Sequence, residues 1–255
     1  MRIQIASDLH LEFPENRRWL EENKLIPSGE VLILAGDIVA LKYKEKAQLF
    51  YDYVRPHFKQ IISIFGNHEF YHGEIDFAYP TYLKKMAENH VLINNKIFVY
   101  QNVKFICSTL WSAIPDKDRE EIENRMNDYH IIYQSKMEKI PITTDHTNFF
   151  NEISLKFIQE ELKKEFKGKI VVVTHHLPSA QCNLKKYKNS SLNSAYVNDL
   201  DQLIKKNQHI SAWIHGHSHE FNEIKMGKVV VARNPLGYVF EGEQHDFRRD
   251  YTIKV

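Results

Sequence analysis

Short, almost continuous apolar runs recur along the chain and predict strands that are buried on both faces. Five of these runs end in small or polar residues, and they cover residues 1–8, 31–37, 61–67, 169–176 and 210–217. Runs of this length that are rich in Val and Ile are typical of the central strands of a largely parallel sheet. We therefore expect a sheet-based core with its inner strands in these five segments.

Helical periodicity fills much of the chain between these runs. From Phe150 to Phe166 apolar residues recur at steps of three and four, and Gly168 then ends the predicted helix. Residues 47–58 and 197–204 show the same spacing. Strands that alternate with helices in this way indicate βαβ units.

Further runs predict antiparallel strands at the edges. Residues 96–111 predict a hairpin that turns near Gln101 and Asn102, and residues 228–235 and 251–255 predict two more strands. The expected fold class is α/β, with two mixed β-sheets packed face to face and flanked by helices in four layers.

The chain shows no repeat, no Gly/Ser linker and no low-complexity tract that would separate domains. We expect one domain over residues 1–255. The most polar and least regular part, at about 111–148, is predicted to be an insertion over one edge of the core.

The composition of the chain limits which partners and which cellular compartment we expect for the protein. The hydrophobic fraction is 43%, the charged fraction is 26% and the formal net charge is +1, which disfavours long nucleic acid as a partner. Cys107 and Cys182 form no C-x-x-C pair and suggest a reduced compartment. No apolar run is long enough to span a bilayer, so we expect a cytoplasmic protein without a membrane partner.

Polar residues follow each of the five predicted inner strands. In chain order they are Asp8 and His10, Asp37, Asn67 and His68, His175 and His176, and His217 and His219. Any one of them alone would fit a turn, a cap or a packed side chain. Because ligands of open α/β sheets gather at the carboxyl ends of strands, the recurrence at five ends predicts one shared site at this edge.

The residue types at this edge indicate a pair of divalent metal ions. Two carboxylates, four imidazoles and one amide oxygen make seven donors, enough for two ions that share a bridging ligand. Nitrogen and oxygen donors without thiolate suit manganese, our first choice, with iron, zinc, cobalt or nickel as alternatives. Asp37 is the expected bridge, since only a short carboxylate spans ions about 3.5–4 Å apart. The remaining positive charge would attract a phosphate ester.

As a set, these residues resemble the calcineurin-like metallophosphoesterase family. The family pattern is D-x-H, G-D, G-N-H-[DE], a single histidine and G-H-x-H. The matching segments here are residues 8–10 (DLH), 36–37 (GD), 66–69 (GNHE), His175 and 216–219 (GHSH), in the same order and with similar spacing. The chain is most similar to small bacterial and phage members, and the resemblance implies the same four-layer fold.

The resemblance also implies a role for each matching residue. The ligands of the first ion would be Asp8, His10, Asp37 and His219. The ligands of the second ion would be Asp37, Asn67, His175 and His217. His68 would bind no metal and would contact the phosphate or the leaving oxygen.

Two points in this assignment stay open. His176 adjoins His175, and because neighbouring strand residues point to opposite sides, only one of the two is expected to reach the ion. His175 matches the family position. Ala40 stands where the protein phosphatases of the family carry an aspartate that orients the catalytic histidine, so the partner of His68 is unknown.

Substrate contacts are expected from the insertion. The candidates there are Arg125, Asn127, Asp128 and Tyr129. Arg233 could also contact an anion, although a surface salt bridge is the simpler expectation.

The predicted activity is hydrolysis of a small phosphomonoester or phosphodiester, with a nucleotide among the candidates, by attack of a metal-bridging hydroxide. A non-catalytic interaction module on the same scaffold is the alternative. A dimetal oxidase is disfavoured, because such proteins carry Glu-x-x-His pairs on helices. The sequence does not indicate the oligomeric state.

Overall fold

Fourteen strands and seven α-helices are present in the part of the chain that the computed structural model describes, residues 1–75, 79–135, 137–187 and 189–255. The strands are β1 (Arg2–Ala6), β2 (Val31–Leu34), β3 (Gln60–Ser63), β4 (Tyr82–Ala87), β5 (His90–Asn94), β6 (Lys96–Tyr100), β7 (Val103–Cys107), β8 (Tyr133–Ser135), β9 (Ile140–Pro141), β10 (Lys169–Val173), β11 (Ile210–Ile214), β12 (Asn222–Met226), β13 (Val229–Arg233) and β14 (Thr252–Lys254). The helices are α1 (Pro14–Glu22), α2 (Gln48–Val54), α3 (Asp116–Arg125), α4 (Asp128–Ile131), α5 (Thr144–Lys163), α6 (Asn193–Tyr196) and α7 (Asp201–Lys206).

Most of the strands belong to two six-stranded mixed sheets. The first has the order β14-β1-β2-β3-β5-β4 and the second the order β12-β13-β11-β10-β7-β6. In each sheet the four inner strands are parallel and the strand at either edge is antiparallel. All five inner strands predicted from the apolar runs form, and the expected mixed sheets are confirmed.

Alternation along the inner strands builds four layers. Successive strand residues point to opposite faces of a sheet. Ile33 of β2 and Val171 of β10 meet in the core between the sheets. Leu32 packs outward with residues of α1 and α2, and Val172 packs outward with residues of α5 and α7. The inner strands of both sheets are therefore buried on both faces, as the predicted four-layer arrangement requires.

One predicted helix is wrong over half of its length. The segment expected as a helix over 197–204 is helical only from Asp201, within α7. Val197 instead forms a parallel bridge with Leu177, and the amide of Asn198 donates to the carbonyl oxygen of Leu177 at 2.8 Å. A run of apolar residues every three to four positions cannot distinguish this extended contact from a helix turn.

The segment at 111–148 contains α3, α4 and the β8–β9 hairpin, and Ile122 and Tyr129 pack in one cluster with Phe65 and Phe70. That this segment is an insertion, and that the chain forms a single domain, stay predictions.

No helix in the described ranges combines the length and the apolar character needed to cross a membrane.

Candidate metal centre

The predicted donor residues converge at one place between the two sheets. Those at the front of the chain follow β1, β2 and β3 of the first sheet, whereas the later histidines follow β10 and β11 of the second. The site therefore lies where the carboxyl edges of two sheets meet, rather than at the edge of a single sheet. The backbone amide of His217 donates to Asp8 Oδ1 at 2.9 Å and so joins the two edges.

Backbone strain marks the same place. Asp8, His10, Asp37 and His217 have positive φ angles of 52°, 46°, 55° and 71°. Non-glycine residues rarely adopt this left-handed region, and such strain concentrates at functional sites.

One donor group consists of Asp8, His10 and His219, whose donor atoms lie within 4.8 Å of one another. The Nε2 atoms of His10 and His219 are 3.2 Å apart, and His219 Nε2 is 3.6 Å from Asp8 Oδ1. Donors that bind one ion at about 2.0–2.2 Å, with angles of about 90–110°, lie about 2.8–3.6 Å from each other. The spacing of this group therefore fits a shared cation.

A second donor group consists of Asp37, His175 and His217. His175 Nε2 lies 3.3 Å from Asp37 Oδ2 and 3.1 Å from Asn67 Oδ1. The same Oδ2 atom of Asp37 is 4.0 Å from His10 Nε2, a member of the first group. Asp37 is thus placed between the two groups, where a bridging carboxylate would have to be.

Glycines make room for these donors. A Cβ atom on Gly66 would collide with Asp37 Oδ1 and with the ring of His175. Gly36 combines a φ of 88° with equally close contact to the ring of His175. The G-D and G-N pairs of the sequence thus allow the donor residues that follow them to approach one another.

The outer nitrogens of three site histidines are held by acceptors. His175 Nδ1 is 2.9 Å from a backbone carbonyl oxygen, His219 Nδ1 is 2.6 Å from Glu243 Oε2, and His10 Nδ1 is 3.3 Å from Glu12 Oε1. Such acceptors fix the tautomer that leaves Nε2 free to bind a metal. Neither Glu12 nor Glu243 was among the residues predicted for the site.

The amide of Asn67 is oriented by Asp128. Asn67 Nδ2 donates to Asp128 Oδ1 at 2.9 Å, which turns Asn67 Oδ1 toward His175. The buried carboxylate of Asp128 therefore orients a donor residue, and Asp128, which was predicted to contact substrate, also lines the cavity over the site.

Asp37 and His175 stabilise each other's charge at the centre. Burial alone would lower the pKa of His175, but the charge of Asp37 outweighs it and raises that pKa to about 10. Asp37 keeps a pKa well below its ordinary value despite its burial, because His175 and His68 stabilise its charge. A metal cation would replace the proton on His175, since metal binding releases protons from its ligands. The donor set therefore fits divalent ions in chemistry, spacing and charge.

His175 belongs to the donor group, and His176 does not. The ring of His176 packs at 4.2 Å from the ring of His217 and at 5.0 Å from Trp111. Burial and the nearby His175 lower the pKa of His176 to about 3, so it packs there as a neutral ring.

We expect His175→Ala to lose a divalent ion that His176→Ala retains, because the imidazole of His175 alone of the two faces Asp37 and Asn67. Metal content per chain after dialysis, measured by mass spectrometry of the elements, distinguishes the variants. Loss of metal from His176→Ala with retention in His175→Ala would reverse the assignment.

His68 is held by four neighbours. Its backbone amide donates to Asp37 Oδ1 at 2.8 Å, and its Nδ1 is 3.0 Å from Glu12 Oε1. Its ring stacks on Tyr71 at 3.9 Å, and its Nε2 lies 3.1 Å from the hydroxyl of Tyr238. Burial would lower the pKa of His68, but the charges of Asp37 and Glu12 outweigh it and raise it to about 9.

Glu12 is therefore the orienting partner that the sequence left unknown. It occupies the space beside Ala40, whose backbone amide donates to Glu12 Oε2 at 3.3 Å. Burial disfavours its charge, but hydrogen bonds from His10 and His68 lower the pKa of Glu12 to about 2. The sequence offered one signal for this role, namely that Glu12 follows the proposed ligand His10 by two residues.

A cavity of about 560 Å³ opens over the donor groups. Of the four residues predicted to contact substrate, Arg125, Asn127 and Asp128 line it, whereas Tyr129 does not and is bonded to Thr147 inside the protein. Contact with substrate itself stays a prediction. Arg233 lies neither at the surface nor in the cavity. It is fully buried, and its guanidinium donates to the backbone carbonyl oxygens of Glu220 and Cys182, so both expectations for it are wrong.

Comparison with known proteins gives relatives in sequence and in fold. The chain is 33% identical over 267 residues to "Uncharacterized protein L509" of Acanthamoeba polyphaga mimivirus, a match that covers 94% of this chain and 93% of that protein. The crystal structure of phosphopantetheinyl hydrolase (PptH) from Mycobacterium tuberculosis is similar, with a TM-score of 0.68 and 17% identity, over 98% of this chain and 95% of that one. At this identity the likeness concerns the fold alone.

The family match covers the whole donor set. Residues 1–221 match the model described as Calcineurin-like phosphoesterase, which spans from β1 past the last of the clustered histidines. With the two-sheet fold and the donor groups at its carboxyl edges, the chain belongs to the calcineurin-like phosphoesterase family.

Proposed function

We propose that the protein hydrolyses a small phosphoester with the help of two divalent metal ions. The observation that carries this proposal is the position of Asp37, whose Oδ2 atom lies 3.3 Å from His175 in one donor group and 4.0 Å from His10 in the other. A non-catalytic module would have no need of two complete donor groups joined by a carboxylate.

The proposed ligands are the seven side chains named from the sequence. For the first ion they are Asp8, His10, Asp37 and His219, and for the second Asp37, Asn67, His175 and His217. Two divalent ions at such a site supply Lewis-acid activation of the phosphoryl group and of the attacking water. Manganese is our first candidate, as the mixed nitrogen and oxygen donors suit it, and we expect the enzyme to act in the cytoplasm.

His68 is the proposed proton donor to the leaving oxygen. The carboxylate of Glu12 on Nδ1 favours the protonated ring, and Nε2 faces the hydroxyl of Tyr238 at the lining of the cavity. A donor in this state can protonate an alkoxide as the bond to phosphorus breaks.

The cavity supports a small substrate with a planar group. Its volume of about 560 Å³ is in the range of sites for small molecules. Four tyrosines contribute to its lining, namely Tyr71, Tyr187, Tyr196 and Tyr238. Aromatic rings favour stacking with flat groups, so a nucleotide is the candidate that we propose. Both monoesters and diesters fit the proposal.

Metal analysis combined with two assays tests this function. The purified protein, loaded with manganese, is assayed on p-nitrophenyl phosphate and on bis(p-nitrophenyl) phosphate, and bound metal is counted per chain. We expect two ions and turnover of at least one ester. A protein that binds two ions but turns over neither ester would support the interaction module instead.

Glu12 and Glu243 provide a matched pair of variants. Each holds the Nδ1 atom of a proposed ligand. Glu12 also holds His68, whereas Glu243 also accepts the backbone amide of Tyr238, a bond that the oxygen of a glutamine can keep. Glu12→Gln and Glu243→Gln should each weaken metal affinity by roughly 10–100-fold.

At saturating metal, Glu12→Gln should in addition lower kcat by about 10-fold or more, since it also releases His68. Glu243→Gln should lose less. Metal titrations and kcat at saturating manganese give the comparison. An equal loss of kcat in both variants would remove Glu12 from its role beside His68.

A further inference from the structure

The hydroxyl of Tyr238 lies beside a ring nitrogen of His68, and both residues line the cavity. Tyr238 Oη is 3.1 Å from His68 Nε2, the nitrogen that would give its proton to a leaving group. Tyr238 is half-buried and lines the cavity, so its hydroxyl can also reach a bound molecule. The hydroxyl thus lies beside the position that the leaving oxygen of a substrate would take.

The backbone around Tyr238 is anchored on both sides. Its amide donates to Glu243 Oε2 at 2.8 Å, and the next amide, of Val239, donates to Asn16 Oδ1 at 3.2 Å. Asn16 also donates to the carbonyl oxygen of Gly237 at 2.8 Å. Asn16 is fully buried, so these contacts tie the segment to the interior of the protein.

Ring contacts fix the side chain as well. The Tyr238 ring lies 4.6 Å from the ring of His10 and 4.6 Å from the ring of His219, and it stacks on Phe240 at 5.3 Å. A hydroxyl held in this way needs little reorganisation to bind a charge that develops beside it.

We propose that Tyr238 is a catalytic residue that donates a hydrogen bond to the leaving oxygen of the substrate, beside His68. This role rests on the proposed hydrolysis. An oxygen–phosphorus bond forms from water, which gives one proton to the solvent. The bond from phosphorus to the leaving oxygen breaks, and its electron pair stays on that oxygen. The proton of His68 Nε2 passes to this oxygen, whereas Tyr238 keeps its own proton and stabilises the negative charge until the transfer is complete.

This role is tested by how the loss of kcat in Tyr238→Phe depends on the basicity of the leaving group. We expect Tyr238→Phe to lower kcat by about 10²-fold for a phenyl ester, whose leaving oxygen carries much charge in the transition state. For the p-nitrophenyl ester, which spreads that charge over its ring, the loss should be no more than about 10-fold. The measurement is kcat at saturating metal for a series of substituted phenyl esters of the type that the wild type hydrolyses.

Controls separate this role from a structural one. Tyr53→Phe removes a hydroxyl that bonds to the carbonyl oxygen of Leu25, away from the cavity, and should leave the whole series unchanged. Bound metal and melting temperature of Tyr238→Phe should match the wild type. Equal losses across the series, or loss of metal, would overturn the catalytic role of Tyr238. A wild type that binds two ions and hydrolyses none of the esters would instead contradict the proposed function.

Discussion

Asp37→Asn is expected to remove at least one of the two divalent ions and to lower kcat by about 10³-fold or more. The carboxylate lies between the two donor groups, with Oδ2 near both His10 and His175. An amide in its place is neutral and offers one acceptor oxygen, so it cannot neutralise and bridge two cations. Elemental analysis and kcat at saturating manganese measure both effects.

The control for this variant is a check that it still folds. The Asp37 Oδ1 atom accepts the backbone amide of His68, and an asparagine can keep that bond through its own oxygen. Loss of the charge opposite His175 should lower the melting temperature without added metal, and a cooperative melting transition in that state shows that the variant is folded. Two ions per chain in Asp37→Asn, in the same positions, would refute the bridge.

His68→Ala is the second change with a large expected effect. Loss of the proton donor should lower kcat by roughly 10²–10⁴-fold. Metal content should be preserved, because the ring nitrogens of His68 face Glu12 and Tyr238, and the ring meets the first donor group only through an edge-on contact with His10. The measurement is kcat beside metal content, for the same protein preparation.

A histidine away from the centre serves as the control. His130→Ala removes an exposed ring whose Nε2 bonds to the carbonyl oxygen of Asn124, and it should leave kcat unchanged. If His68→Ala lost its metal in proportion to its activity, His68 would belong to the metal site and not to the leaving group.

The inner strands and the donor residues were predictable because both follow from the local order of apolar and polar residues along the chain. Strands that are buried on both faces appear in the sequence as continuous apolar runs. The polar residues that follow parallel strands lie at the same edge of the sheet. Asp8, Asp37 and His217 could be placed near one another on that basis. The pattern did not show that the edge is shared by two sheets.

Partners of the donor residues were not predictable from the same pattern. Glu243 and Tyr238 follow β13 in a loop with no strand register, and their contacts depend on the left-handed φ of 72° at Gly237. Arg233 ends a strand, but whether its guanidinium meets solvent or backbone carbonyls depends on the loop at Cys182. The direction of a side chain after a turn is set by such contacts, and the spacing of apolar residues along the sequence does not reveal it.

A crystal grown with manganese tests the central claim most directly. The anomalous difference map should show two peaks about 3.5–4 Å apart, with the carboxylate of Asp37 between them. One peak should contact His10 and His219, and the other His175 and His217. A single peak, or two peaks of which neither touches Asp37, would contradict the account.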